Sequence, residues 1–215
     1  MRASAMVMTK PMVTHNPGGL SEHHHAVQFY GDEAELFERV GTFLSEGLTA
    51  GQPAIVIVTP EHRAAIERAL EKHLIDVSSA RHLGDLVMLD AEEVLGTFMV
   101  DHAPVGSLFR RSIGDVIDQT LRGRERTPAR AFGEMVDVLW KQGRTEAAIR
   151  VEVLWNNLAE THAFSLLCGY SIGHFYKQAE KYREVCDLHS HVHPHAEAVA
   201  PITPLMPLVA KPITA

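Results

Sequence analysis

The chain has 215 residues, 46% hydrophobic and 22% charged, with a formal net charge of −7 and a pI near 6.0. That length supports one domain with a sizeable core, and the acidic balance argues against a nucleic-acid surface, which needs clustered Lys and Arg. No apolar run reaches the roughly 20 residues that cross a bilayer, and the N-terminal MRASAMVMTKPMVTHNPGG lacks the apolar stretch of a signal peptide. A cytoplasmic protein with no membrane or direct nucleic-acid partner is therefore expected. No structural disulfide is expected between Cys168 and Cys186.

Residues 1–22 read as a flexible arm, 23–190 as the folded domain, and 191–215 as a His- and Pro-rich disordered tail. Within the domain the punctuation is regular and shows no internal repeat. AVQFY at 26–30 is the first expected strand. A helix follows over 33–48, with Leu36, Phe37, Val40, Phe43, Leu44 and Leu48 spaced along one face. AIVIV at 54–58 is a continuous apolar run, as in a strand covered on both sides. Thr59 as N-cap and Pro60 at the first position open the next helix. LVML at 86–89 is a strand ended by Asp90, and helices are expected near 91–102 and 107–122. RAFG at 130–133 is a short strand that enters a helix at 134–142. A helix over 145–160 and a strand at 164–168 follow. HFYKQAEKYREVCDLHSH reads as one closing helix. Strand alternating with helix implies crossover units: an α/β three-layer sandwich with a mainly parallel central sheet.

In such sheets ligands bind beyond the carboxyl ends of the strands. The first of these junctions, GDEAEL at 31–36, has one glycine, three carboxylates and no lysine. A phosphate loop needs freed backbone N–H groups and a lysine. Asp32 and Glu33 either cap the helix or line a pocket for a neutral or cationic ligand. Glu61 and Glu134 are acidic residues at the second and fourth strand ends. In VEVLWNNL, Glu152 and Asn156 lie four apart on one helical stripe. Trp155 beside them is either a ligand wall or core filling. Tyr170 ends the last strand and could turn its hydroxyl into the pocket. Cys168 reads as a small buried hydrophobe.

Fourteen histidines are many for this length. The segment CDLHSHVHPH could gather Cys186, His189, His191 and His193 around zinc or another transition metal. Because it runs into proline-rich sequence, a solvated cluster with no cofactor is the preferred reading, and a metal-binding sensor is the alternative.

Three stretches together resemble one family: HAVQFYGDEAEL, then FLSEGLTAGQPAIVIVTPEHRAAI, then RAFGEMVDVLW…VEVLWNNL…FSLLCGY. They are similar to the MEDS domain, a bacterial sensory module of DcmR-type regulators, over roughly 23–190. The resemblance implies a RecA/KaiC-like fold with a degenerate nucleotide site that has lost its phosphate loop. It implies sensing of small hydrocarbon derivatives and a signalling partner such as a histidine kinase or transcription regulator. No fused output domain is apparent in this sequence. His25 and Tyr30 match the family well; five apart on a strand, they face opposite sides. The expected function is a non-catalytic sensory domain that binds a small molecule through His25, Tyr30, Asp32, Glu61, Glu134, Glu152, Trp155, Asn156 and Tyr170. A KaiC-like ATPase with a divergent site is the alternative, and self-association is plausible.

Overall fold

The computed structural model describes residues 24–124, 127–176 and 178–195. The arm expected at 1–22 and the tail from 196 onward lie outside the described residues. Six parallel strands form the central sheet: β1 (His25–Tyr30), β2 (Ala54–Val58), β3 (Leu86–Asp90), β6 (Ala129–Gly133), β7 (Phe164–Ser171) and β8 (His191–His193). Their order across the sheet is β3-β2-β6-β7-β1-β8. The helices are α1 (Glu33–Thr49), α2 (Pro60–Lys72), α3 (Val77–His82), α4 (Ala91–Phe98), α5 (Gly106–Leu121), α6 (Met135–Lys141), α7 (Thr145–Ala159) and α8 (Ala179–Asp187).

Strand periodicity divides the core in two. Ala54, Val56 and Val58 of β2 face one way, with Leu36, Val40 and Leu44 of α1 and Ile66 and Leu70 of α2. Ile55 and Ile57 face the other way, into a larger cluster that includes Phe98, Phe109, Leu139, Val151 and Trp155 from α4 to α7. Alternate side chains of one continuous apolar strand thus feed two helical layers.

The structure adds the short helix α3, which the sequence reading lacked, extends β7 to Ser171, and departs from the sequence expectations at three further places. The helix expected over 91–102 stops at Phe98, and a two-residue hairpin follows, with β4 (Met99–Val100) paired to β5 (Ala103–Pro104). Its loop residues Asp101 and His102 both have positive φ, 46° and 67°, as a primed hairpin turn requires. The closing helix is split: a 3-10 turn at Ile172–Phe175 precedes α8, which ends at Asp187. The chain then continues the sheet where a tail was expected from 191, since β8 pairs with β1 through Ala26↔His191, Val27↔Val192 and Gln28↔His193. Ser190 ties this turn to the start of β1: its N–H donates to the His25 carbonyl at 2.8 Å and its hydroxyl accepts from the His25 N–H at 3.0 Å.

Candidate functional site

Two polar regions stand out, one at the carboxyl ends of the strands and one buried against the sheet face. At the strand ends, Asp32 caps α1 by accepting from the Ala34 N–H at 2.9 Å. His195 lies over the turn, with Nδ1 3.2 Å from the Gly31 nitrogen and 2.9 Å from a Glu35 oxygen; a single nitrogen serves one of these at a time. A Cβ at position 31 would meet that ring at 2.6 Å, so this glycine permits the close approach. Glu134, buried after β6, accepts from the Thr59 N–H and pairs with His62 Nδ1 at 2.6 Å. His62 Nε2 then reaches Glu33 at 3.4 Å. The hydrogen bond to Glu134 is the main cause that raises the His62 pKa above its ordinary value.

Asp137, in the first turn of α6, is almost wholly buried and fully engaged. It accepts from the Ser171 N–H at 2.9 Å, the Tyr30 hydroxyl at 3.2 Å and His174 Nε2 at 2.8 Å, and it pairs with Lys141 at 2.9 Å. Burial pushes its pKa up, but His174, the Ser171 N–H and Lys141 outweigh burial and hold it below the usual carboxylate range. Burial and the Asp137 charge push the Tyr30 phenol well up. Beside this network, Ile172, Gly173, Phe175, Tyr176, Ala179 and Tyr182 line an apolar hollow of about 420 Å³.

The second region lies under α7 and α8. The side chains of His25 (first residue of β1), Glu152 (α7), Cys168 (β7) and His189 (just past α8) are all buried and converge there. His25 Nε2 is 3.2 Å from a Glu152 oxygen and 3.4 Å from Cys168 Sγ. Cys168 Sγ is 3.4 Å from that same Glu152 oxygen, and His189 Nε2 is 3.5 Å from the other. Burial pushes the Cys168 thiol well up, and the Glu152 charge adds to it. Burial also raises the Glu152 carboxyl, yet the two imidazoles outweigh it and leave its pKa below the ordinary value. His189 is pushed down by burial and up by Glu152, with a net rise. The Tyr170 hydroxyl is buried near Glu152, and burial together with the Glu152 charge pushes its pKa well up. Among the described residues, His25, Glu152, Cys168 and His189 form a group that could hold a metal ion.

A family model for the MEthanogen/methylotroph, DcmR Sensory domain matches residues 24–190. The chain belongs to the MEDS family. No characterised protein matches it at the level of sequence. Among solved structures it is similar to a KaiC-like protein from the hyperthermophilic archaeon Pyrococcus horikoshii OT3, with a TM-score of 0.50 and 16% identity over 73% of this chain and 65% of that one. At that identity the likeness speaks for the fold, a KaiC-like RecA fold. Membership in a sensory family indicates a sensory or regulatory role. Among the described residues, no helix is long and apolar enough to cross a membrane.

The MEDS residues singled out by sequence divide between the two regions. His25, Glu152 and Asn156 meet under α7, where His25 Nδ1 lies 2.8 Å from Asn156 Oδ1, and Tyr170 borders them. Tyr30 and Glu134 belong to the strand ends, on the opposite side of β1 from His25, as the strand period requires. Asp32 serves as the α1 cap and Glu61 is exposed in the first turn of α2. Trp155 packs edge-on against Phe109 and against Phe164 in the core. Of the four tail residues considered for metal, His189 joins the buried cluster; Cys186 is half-buried on α8, and His191 and His193 lie on β8. The sequence reading passed over His62, Asp137, Lys141 and His174. Asp137 and Lys141 carried a usable signal, an i,i+4 pair directly after a strand; His62 and His174 carried none.

Proposed function

We propose that this MEDS domain is a non-catalytic cytoplasmic sensor that takes up a small, largely apolar molecule at the carboxyl end of the sheet and signals to a partner protein. The observation that carries this reading is the hollow of about 420 Å³ between the 3-10 turn and α8. Its size and aromatic walls suit a small ligand, and the fixed Asp137–His174 pair beside it offers a polar anchor for a hydroxyl, amine or halogenated group. The strand-end carboxylates support the non-catalytic part of the reading. Glu134 and Asp137 are already bonded to protein donors, and the negative charge around Gly31 disfavours a triphosphate.

Signalling would run through α8. Tyr182 on this helix lines the hollow, and the same segment leads through His189 to β8 at the sheet edge. An edge strand offers unpaired backbone groups to a partner's strand, whether in a histidine kinase, a transcription regulator or a second copy. A ligand that prefers one placement of α8 shifts the population by its differential affinity for the two placements. The test is thermal unfolding of the full chain against short-chain alcohols, amines and halogenated hydrocarbons. One class should raise the melting temperature, corresponding to about 2.7 kcal/mol at a hundredfold excess over Kd, and Tyr182→Ala should abolish the effect. No shift from any class, together with micromolar binding or turnover of ATP with magnesium, would defeat the reading in favour of a KaiC-like ATPase.

A further inference from the structure

The hydrogen bonds around the buried cluster under α7 and α8 set the hydrogens on its imidazoles. His189 Nδ1 lies 2.7 Å from the Val185 carbonyl oxygen, which can only accept. Nδ1 therefore carries the hydrogen and Nε2 keeps its lone pair. Asn156 Nδ2 donates to the Leu188 carbonyl at 3.0 Å, which turns Oδ1 toward His25 Nδ1 at 2.8 Å. That nitrogen is a donor too. The Nε2 lone pair of His25 consequently faces a carboxylate oxygen and a sulfur, and that of His189 faces the other carboxylate oxygen.

The four groups hold many acceptors and, among themselves, one weak donor, the Cys168 thiol. Among the described residues, Glu152 Oε1 and His189 Nε2 are buried and make no hydrogen bond of normal geometry. Such a set requires a cation, either a proton or a metal ion. A protonated imidazole on a carboxylate would sit at about 2.7–2.9 Å, whereas the two imidazole–carboxylate contacts are 3.2 and 3.5 Å. A tetrahedral zinc site, with metal–nitrogen bonds near 2.0–2.1 Å and metal–sulfur near 2.3 Å, has donor–donor edges of roughly 3.3–3.7 Å. Three contacts, His25 Nε2 to Glu152 Oε2 at 3.2 Å and Cys168 Sγ to each of them at 3.4 Å, lie close to such edges; His189 Nε2 approaches the other Glu152 oxygen at 3.5 Å, and the four residues offer donor atoms within 4.8 Å of one another. Charge agrees as well: a carboxylate and a thiolate neutralise a dication, so the buried centre ends uncharged.

We propose that His25, Glu152, Cys168 and His189 form a closed, four-coordinate site for a divalent transition metal, zinc by its donor set. Binding replaces the Cys168 S–H bond with a sulfur–metal bond and releases that proton to solvent, with no change of oxidation state. Because His189 lies just before β8, the ion clasps the end of the chain to β1 and α7. The Val185 and Asn156 oxygens orient the two imidazoles, the supporting role such partners play at metal sites. This site is separate from the hollow beside α8 and does not depend on the small-molecule reading.

The test uses the full chain, stripped with a chelator and titrated first with Co²⁺ and then with Zn²⁺. One Co²⁺ per chain should bind with the visible bands of a tetrahedral ion and a thiolate-to-cobalt charge-transfer band, and Zn²⁺ should displace it. Cys168→Ser should remove the charge-transfer band. Asn156→Ala should weaken binding by about 10–100-fold, and the double change His191→Ala with His193→Ala should leave it intact. Failure of the unaltered chain to bind Co²⁺, a bound ion without the charge-transfer band, or loss of binding only in the His191/His193 variant would overturn the proposal. The unaltered chain's spectrum decides even if a variant misfolds.

Discussion

The strand-end crevice and the buried cluster both place carboxylates against histidines, yet they are finished to different degrees. Asp137 in the crevice has a donor for each oxygen, and its lysine and imidazole partners remain partly exposed. Glu152 in the cluster is wholly buried, and among the described residues one of its oxygens makes no hydrogen bond of normal geometry. A charge that protein groups satisfy can serve the fold alone. A buried charge left short of donors is costly, and the proposed metal ion would complete it. The comparison teaches that hydrogen-bond completeness separates the two regions better than charge or position does.

If that contrast holds, breaking the cluster should cost the most. Glu152→Ala removes the one carboxylate that would balance the proposed buried ion and should destabilise the metal-loaded chain by about 3–5 kcal/mol, the usual cost of leaving a buried charge without its partner, read by urea denaturation. A smaller loss than that of any crevice variant would erase the contrast.

Asp137→Asn should cost about 2–3 kcal/mol, because several hydrogen bonds to a charged group weaken together. Its effect should also depend on pH. The Asp137 pKa is depressed in the folded chain, so the unfolded chain takes up the proton first on acidification. The stability from this group is complete above the unfolded value of about 3.9 and is lost as pH falls toward the folded value. Stability measured below pH ~4 should therefore fall less steeply in Asp137→Asn than in the parent chain.

Glu134→Gln should cost about 1–2 kcal/mol, since the amide oxygen can still accept from Thr59. It sharpens the contrast from the alkaline side. The His62 pKa is raised in the folded chain, mainly by Glu134. Its contribution is complete below the unfolded value of about 6.5 and disappears as pH rises through the folded value. Thermal melts from about pH 6 to 8.5 should show this loss in the parent and little of it in Glu134→Gln. An identical slope in both would mean that His62 is not held by this pair. The smallest effect belongs to His195→Ala, about 0–1 kcal/mol, because its Glu35 partner is partly exposed and so screened by solvent. A larger loss would mean that the ring over Gly31 supports β8 more than its contacts suggest.

Reasoning within an element read this protein well. The apolar run at 54–58 became a strand facing two cores. Glu152 and Asn156 proved to be neighbours on one stripe, and His25 and Tyr30 faced opposite sides of β1. The hairpin at 99–104 escaped notice because its strands are only two residues long, too short for periodicity to register. The strand at 191–193 escaped because its composition is that of a tail and its order comes from pairing with β1. Cys168 read as a small hydrophobe because burial alone was legible, not what burial placed beside it.

By itself the sequence determined the alternation of strand and helix, hence the parallel sheet, along with the two faces of each strand and the sensory family. Tertiary structure alone decided that His25, Glu152, Cys168 and His189, spread over the length of the domain, meet in one buried cluster. The reason is physical. Side-chain direction inside a helix or strand follows a fixed period of the backbone, whereas the meeting of β1, β7, α7 and the residue after α8 depends on sheet order and crossover packing, which no local period encodes.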